Sequence, residues 1–87
     1  SIRNSLYQEA EKVVNEAKKV ASEMGIAVQA EVREGYAADE IIKAAEKRES
    51  DLIVMGTYGW KGMSKAIMGS TTNRVIANAN CPILVVK

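Results

Sequence analysis

The stretch GTYGWKGMSKAIMGS, residues 56–70, decides how this chain folds. It directly follows the apolar run DLIVM and leads into STTN, and it places glycines at positions 56, 59, 62 and 69. A glycine where a buried strand ends lets the backbone turn sharply and lets a ligand approach the amide groups without a Cβ in the way. The stretch therefore predicts a strand, a glycine loop and a helix in succession, with a candidate ligand site at the loop.

The two runs that flank this stretch predict strands of a parallel sheet. DLIVMG (residues 51–56) and CPILVVK (residues 81–87) are apolar without alternation. This pattern is typical of strands that helices cover on both faces. The helix predicted between them begins in STTNRVIANAN, residues 70–80, with Ser70 or Thr71 as its cap.

The first half of the chain adds two helices and one further strand. Apolar residues recur every three or four positions from Ile2 to Met24, and Gly25 then ends the predicted helix. Residues 26–34 alternate apolar with polar side chains, which predicts a half-buried edge strand. Residues 37–50 predict a second helix with acidic residues in its first turn. The predicted inner faces of the second and third helices are Ala38, Ile41, Ile42 and Ala45, and Val75, Ile76 and Ala79.

Strands that alternate with helices indicate an α/β fold, a layered parallel sheet with helices on both faces and right-handed crossovers. With 87 residues, the chain allows one domain at most. The net charge of +1 gives no indication of nucleic-acid binding, and no apolar run approaches the ~20 residues that cross a bilayer. The cytoplasm is the default location. The chain contains no histidine and one cysteine, Cys81, which excludes histidine-dependent catalysis and the usual zinc sites.

The glycines point to a phosphate-binding site. In an open parallel sheet, ligands bind at the carboxyl ends of the strands, and Gly56 lies at such an end. Gly69 and Ser70 open a helix whose first N–H groups can bind phosphate oxygens. The alternative is that these glycines serve only a tight turn and the entry into a helix. Neither GxxxxGK[ST] nor GxGxxG is present.

The spacing of the glycines is a more specific signal than their presence. Gly56, two residues, Gly59, nine residues and then Gly69-Ser70 form G-x2-G-x9-G-[ST]. This pattern resembles the ATP-binding signature of the universal stress protein family, and DLIVMGTYG, GSTTNRVI and CPILVVK resemble that family's last strand, helix and strand. The resemblance implies that residues 1–87 are a universal stress protein domain that binds ATP or a related adenine nucleotide.

The resemblance also assigns roles to individual residues. It implies that Met55 and Gly56 lie by the adenosine, that Gly59 borders the phosphate loop, and that Gly69, Ser70 and Thr71 hold the phosphates. Any Mg or Mn would be held through those phosphates. Met55 could equally be a core residue that ends its strand. Lys61 is a further candidate for phosphate charge or a solvated loop lysine, and no role is assigned to Tyr58 or Trp60.

The chain departs from the family pattern at its beginning. A family domain starts with a strand, a helix and a second strand before the helix that begins here at Ile2. The family sheet order, 3-2-1-4-5, would place that pair of strands between the strand at 26–34 and the strand at 51–56. We therefore expect either that the domain is incomplete at its N-terminus or that its strands close up or borrow from a partner.

The resemblance implies a dimeric, nucleotide-dependent switch or sensor in a stress response, with a homodimer formed through the last strand, residues 82–87. No paired carboxylates or mobile arginine indicate catalysis, so any ATP hydrolysis is expected to be slow. One alternative is an interaction or scaffold module of the same fold that binds no nucleotide. Another is a nucleotide-using enzyme such as an adenylyl transferase.

Overall fold

The computed structural model describes residues 1–56 and 69–86 of the chain. These residues belong to two compact units, Ser1–Arg33 and Glu34–Lys87. Among the described residues, no helix combines the length and the apolarity that crossing a membrane requires.

The first unit is built on one long helix, α1, Ile2–Glu23. Ser1 is its N-cap, and the Ser1 hydroxyl accepts a hydrogen bond from the Asn4 N–H at 3.2 Å. At the other end Gly25 has a φ of +74°, and the Ile26 N–H turns back to donate to the Ala21 carbonyl at 2.8 Å. A left-handed glycine at this place satisfies carbonyls that the last turn leaves open. The predicted helix and its glycine stop are confirmed.

The predicted edge strand over residues 26–34 is wrong, because the structure assigns no strand to this described segment. A strand needs a neighbour to receive its backbone hydrogen bonds. The unit Ser1–Arg33 contains only α1 besides residues 26–33, so it supplies no such neighbour. Within this segment the Arg33 Nη1 lies 3.3 Å from the Glu31 Oε2. Ile26 and Val28, predicted to be buried, are exposed.

The second unit contains the α/β arrangement that the sequence predicted. Its elements in chain order are α2, Ala37–Lys47; β1, Ile53–Gly56; α3, Ser70–Asn78; and β2, Ile83–Val86. The strands β1 and β2 pair in parallel, with Ile53 opposite Ile83 and Gly56 opposite Val86. Two parallel neighbours need a crossover between them, and α3 lies in that connection.

Among the described residues, the core of this unit contains one buried apolar residue from each of three elements: Ala38 of α2, Ile53 of β1 and Val75 of α3. The half-buried residues around them are Ile41, Ile42, Ala45, Met55, Ala79, Cys81 and Ile83. The predicted inner face of α2 is therefore confirmed. On α3 the prediction holds for Val75 and Ala79 and is wrong for Ile76, whose side chain lies in solvent.

Among the described residues of this unit, α2 and α3 contribute to the cluster on one face of the two-stranded sheet, and the side chains of the other face are exposed. Side chains alternate along a strand, so Ile53 and Met55 point to the helix-packed face and Val54 points away from it. Val54, Leu84 and Val86 on the other face are 59%, 53% and 46% exposed. These apolar side chains could pack against a second layer of structure, but none of the described elements buries them.

We expect a valine-to-alanine substitution to lower the stability of the fold by different amounts on the two faces of the sheet. Val75→Ala should lower the free energy of unfolding by about 2–3 kcal/mol, because it removes two buried methyl groups and leaves a cavity. Val54→Ala, the matched control on the exposed face, should change it by less than about 0.5 kcal/mol. Urea unfolding followed by circular dichroism measures both. An equal loss from the two variants would show that the Val54 face is buried in solution.

Candidate functional site

The sheet edge at which β1 ends is also the edge at which α3 begins. β1 ends at Gly56, and α3 starts at Ser70 and leads into β2, which is parallel to β1. A crossover helix runs back along the sheet, so its N-terminus lies at the carboxyl ends of the strands. The same reasoning places the first turn of α2 at this edge. This topology places Gly56, Gly69 and Ser70 at the same end of the unit.

The N-terminus of α3 offers three backbone donors. Gly69 is the N-cap, with φ −69° and ψ 162°, and the first hydrogen bond within the helix runs from the Asn73 N–H to the Gly69 carbonyl at 3.2 Å. The N–H groups of Ser70, Thr71 and Thr72 consequently have no acceptor within the helix. The prediction of Ser70 or Thr71 as the cap is wrong, because the backbone becomes helical already at Ser70.

The electrostatics of this terminus favour an anion. The first turn of α3 contains no acidic residue, and the N-cap glycine has no side chain that could accept from these N–H groups. A helix N-terminus carries roughly half a positive elementary charge, which an anion can compensate. Ser70 is exposed, Thr71 is half-buried and Thr72 is 3% exposed. The Ser70 hydroxyl is therefore the most accessible side-chain donor of the three, while Thr72 anchors the turn in the protein.

The glycines separate into two classes. Gly25 and Gly35 have φ values of +74° and +139°, and a Cβ on Gly35 would lie 2.9 Å from the Glu40 Oε2. Gly56 and Gly69 are outside the positive-φ range, and a Cβ on either would meet no described atom within 4 Å. The first pair is required by the backbone. Neither backbone conformation nor packing against described residues requires glycine at the second pair.

The remaining predicted site residues fall into two groups. Met55 is half-buried and packs against the core cluster, as the alternative interpretation of a strand-ending core residue expects. The Gly56 that follows it is exposed. Gly59, Gly62 and the candidates Tyr58, Trp60 and Lys61 lie outside the described residues.

One charged pair near this edge was not predicted. The Arg74 Nη2 of α3 lies 4.0 Å from the Asp39 Oδ1 in the first turn of α2. From the sequence, Asp39 is one of the acidic residues in the first turn of a predicted helix, and Arg74 has no predicted role. The available signal was the spacing of Arg74 from Ser70, since residues four apart share one side of a helix.

Neither Cys81 nor the carboxylates of the described residues form a further candidate catalytic or metal site. Cys81 is half-buried and packs against the core cluster, in agreement with its interpretation as a small apolar residue. Asn80 donates to the Glu46 Oε2 at 2.9 Å, which ties the segment before β2 to α2. No set of three His, Cys, Asp or Glu residues in the described part of the chain is grouped to hold a metal ion.

Comparison with known proteins agrees with this architecture. The model of the universal stress protein family matches residues 2–87. The chain belongs to the universal stress protein family. The match covers both units, including the segment at 26–34 that forms no strand here.

Individual relatives support the assignment. Universal stress proteins MJ0531 and MJ0577 of Methanocaldococcus jannaschii are 45% and 35% identical over 86 residues, which are 99% of this chain and 51% and 53% of those proteins. YxiE of Bacillus subtilis is 33% identical, with 58% of its length covered. A solved structure from a study on structure-based assignment of the biochemical function of hypothetical protein MJ0577 matches with a TM-score of 0.86 and 37% identity, covering 99% of this chain and 60% of that one. The chain thus spans about half the length of the curated relatives it matches.

Proposed function

We propose that this universal stress protein domain binds ATP or a related adenine nucleotide, with the phosphates at the N-terminus of α3. The observation that carries the proposal is the open main chain at Gly56 and Gly69, two glycines of the family signature. A role in chain geometry explains Gly25 and Gly35, whereas no described atom and no positive φ gives such a reason for Gly56 and Gly69. A phosphate approaching the backbone gives both positions a reason to lack a side chain.

Different residues at this edge of the sheet would contact different parts of the nucleotide. The N–H groups at the start of α3 and the hydroxyls of Ser70 and Thr71 would hold phosphate oxygens, with Gly69 leaving the approach free. Gly59 would border the same phosphates, and Met55 and Gly56 would lie by the adenosine. A divalent ion such as Mg or Mn would be held through the phosphates, which bring the hard oxygen ligands that such ions prefer. The donor set fits this ligand because it consists of hydrogen-bond donors at a positive helix end.

The role we propose for this site is nucleotide-dependent switching or sensing in a stress response, with at most slow hydrolysis. Phosphoryl transfer needs a group that positions the attacking water and charges that stabilise the transition state. The described residues at the start of α3 supply donors for binding and no carboxylate. The free energy of nucleotide binding can shift the conformation of this edge of the sheet and so change how a partner binds, without hydrolysis of the nucleotide.

Removing the Ser70 hydroxyl tests the phosphate contact. A hydrogen bond to a charged group is worth about 1.5–3 kcal/mol, so Ser70→Ala should weaken ATP binding roughly 10- to 100-fold. Ser70→Thr keeps the hydroxyl and serves as the matched control, with affinity expected near that of the wild type. Calorimetric titration of the natural full-length polypeptide with ATP measures all three proteins.

A second variant places a carboxylate of the chain itself where the phosphate would bind. An aspartate at an N-cap accepts from the N–H groups of the first turn, so Gly69→Asp should abolish ATP binding. The same change should raise the stability of the fold by roughly 0.3–1 kcal/mol, because the carboxylate compensates the positive helix end. If the wild type shows no binding at millimolar ATP, or both folded variants bind like it, the scaffold interpretation replaces this proposal.

We also propose a homodimer through the outer edge of β2, residues 82–87, of which Lys87 lies outside the described residues. Among the described strands, β2 pairs only with β1 and leaves its other edge unpaired. Such an edge can pair with another chain, and a two-fold axis brings the same patch together twice. Val85 is half-buried, so the exposed Leu84 is the better position for a test.

Leu84→Lys should dissociate this dimer, because like charges facing each other across paired strands are destabilising. Val54→Lys places the same charge on the same sheet face but on β1, and the dimer should persist. Light scattering reports the mass of each variant. Dissociation by Val54→Lys alone would place the interface on the open face of β1 instead.

We further propose that residues 1–87 belong to a longer universal stress protein domain. The exposed side chains of Val54, Leu84 and Val86 suit a further layer of structure, and the matched relatives are about twice as long. The intact mass of the protein isolated from its source should therefore exceed 9.4 kDa. A measured mass of 9.4 kDa would contradict the proposal.

A further inference from the structure

We draw no further inference here: the strongest candidate, the exposed apolar stripe along α1 formed by Ile2, Leu6, Val13 and Val20, carries no proposal because nothing in the structure shows what covers it.

Discussion

The contact of Val75 with the sheet is the interaction on which the candidate site depends. Val75 is fully buried and belongs to one cluster with Ile53 of β1 and Ala38 of α2. Burying this residue fixes which side of α3 faces the sheet, and Thr72 lies on that same side. Ser70 and Arg74 are consequently turned toward solvent at the carboxyl edge of the strands. A hydrophobic contact in the second turn of α3 therefore orients the polar groups of its first turn.

The sequence predicted the elements whose signals are local, and it was wrong where a signal depends on a neighbour. Periodicity, Ser1 and Gly25 define α1 within the chain itself, and the structure agrees. The alternation at 26–34 and the apolar pattern of Val54 and Leu84 report which surfaces the chain can bury. Whether they are buried depends on a strand or a layer that periodicity alone does not supply. The error at 26–34 thus reflects the lack of a paired strand among the described residues rather than a misread propensity.

The candidate site, too, could be predicted from the sequence only in part. The spacing of Gly56 and Gly69 is visible in the sequence, and the topology of a parallel sheet then brings them to one edge. The N-cap was misplaced by one residue, because composition favours serine there, whereas the extended backbone of Gly69 decides the position. Arg74 escaped notice because its partner Asp39 lies on another helix, a relation that only the packing of α2 on α3 creates.

Helix stability and ligand binding make opposite demands on residue 69. Serine, threonine, asparagine or aspartate at an N-cap would satisfy a donor of the first turn and stabilise α3, and glycine has no side chain to do so. No described atom near Gly69 excludes a side chain, and its φ is accessible to any residue. Sites that forgo an available local stabilisation are often functional, because the group left unsatisfied is the one that binds. At the start of α3 the groups left without a partner in the helix are hydrogen-bond donors, and the ligand we propose for them is therefore an anion.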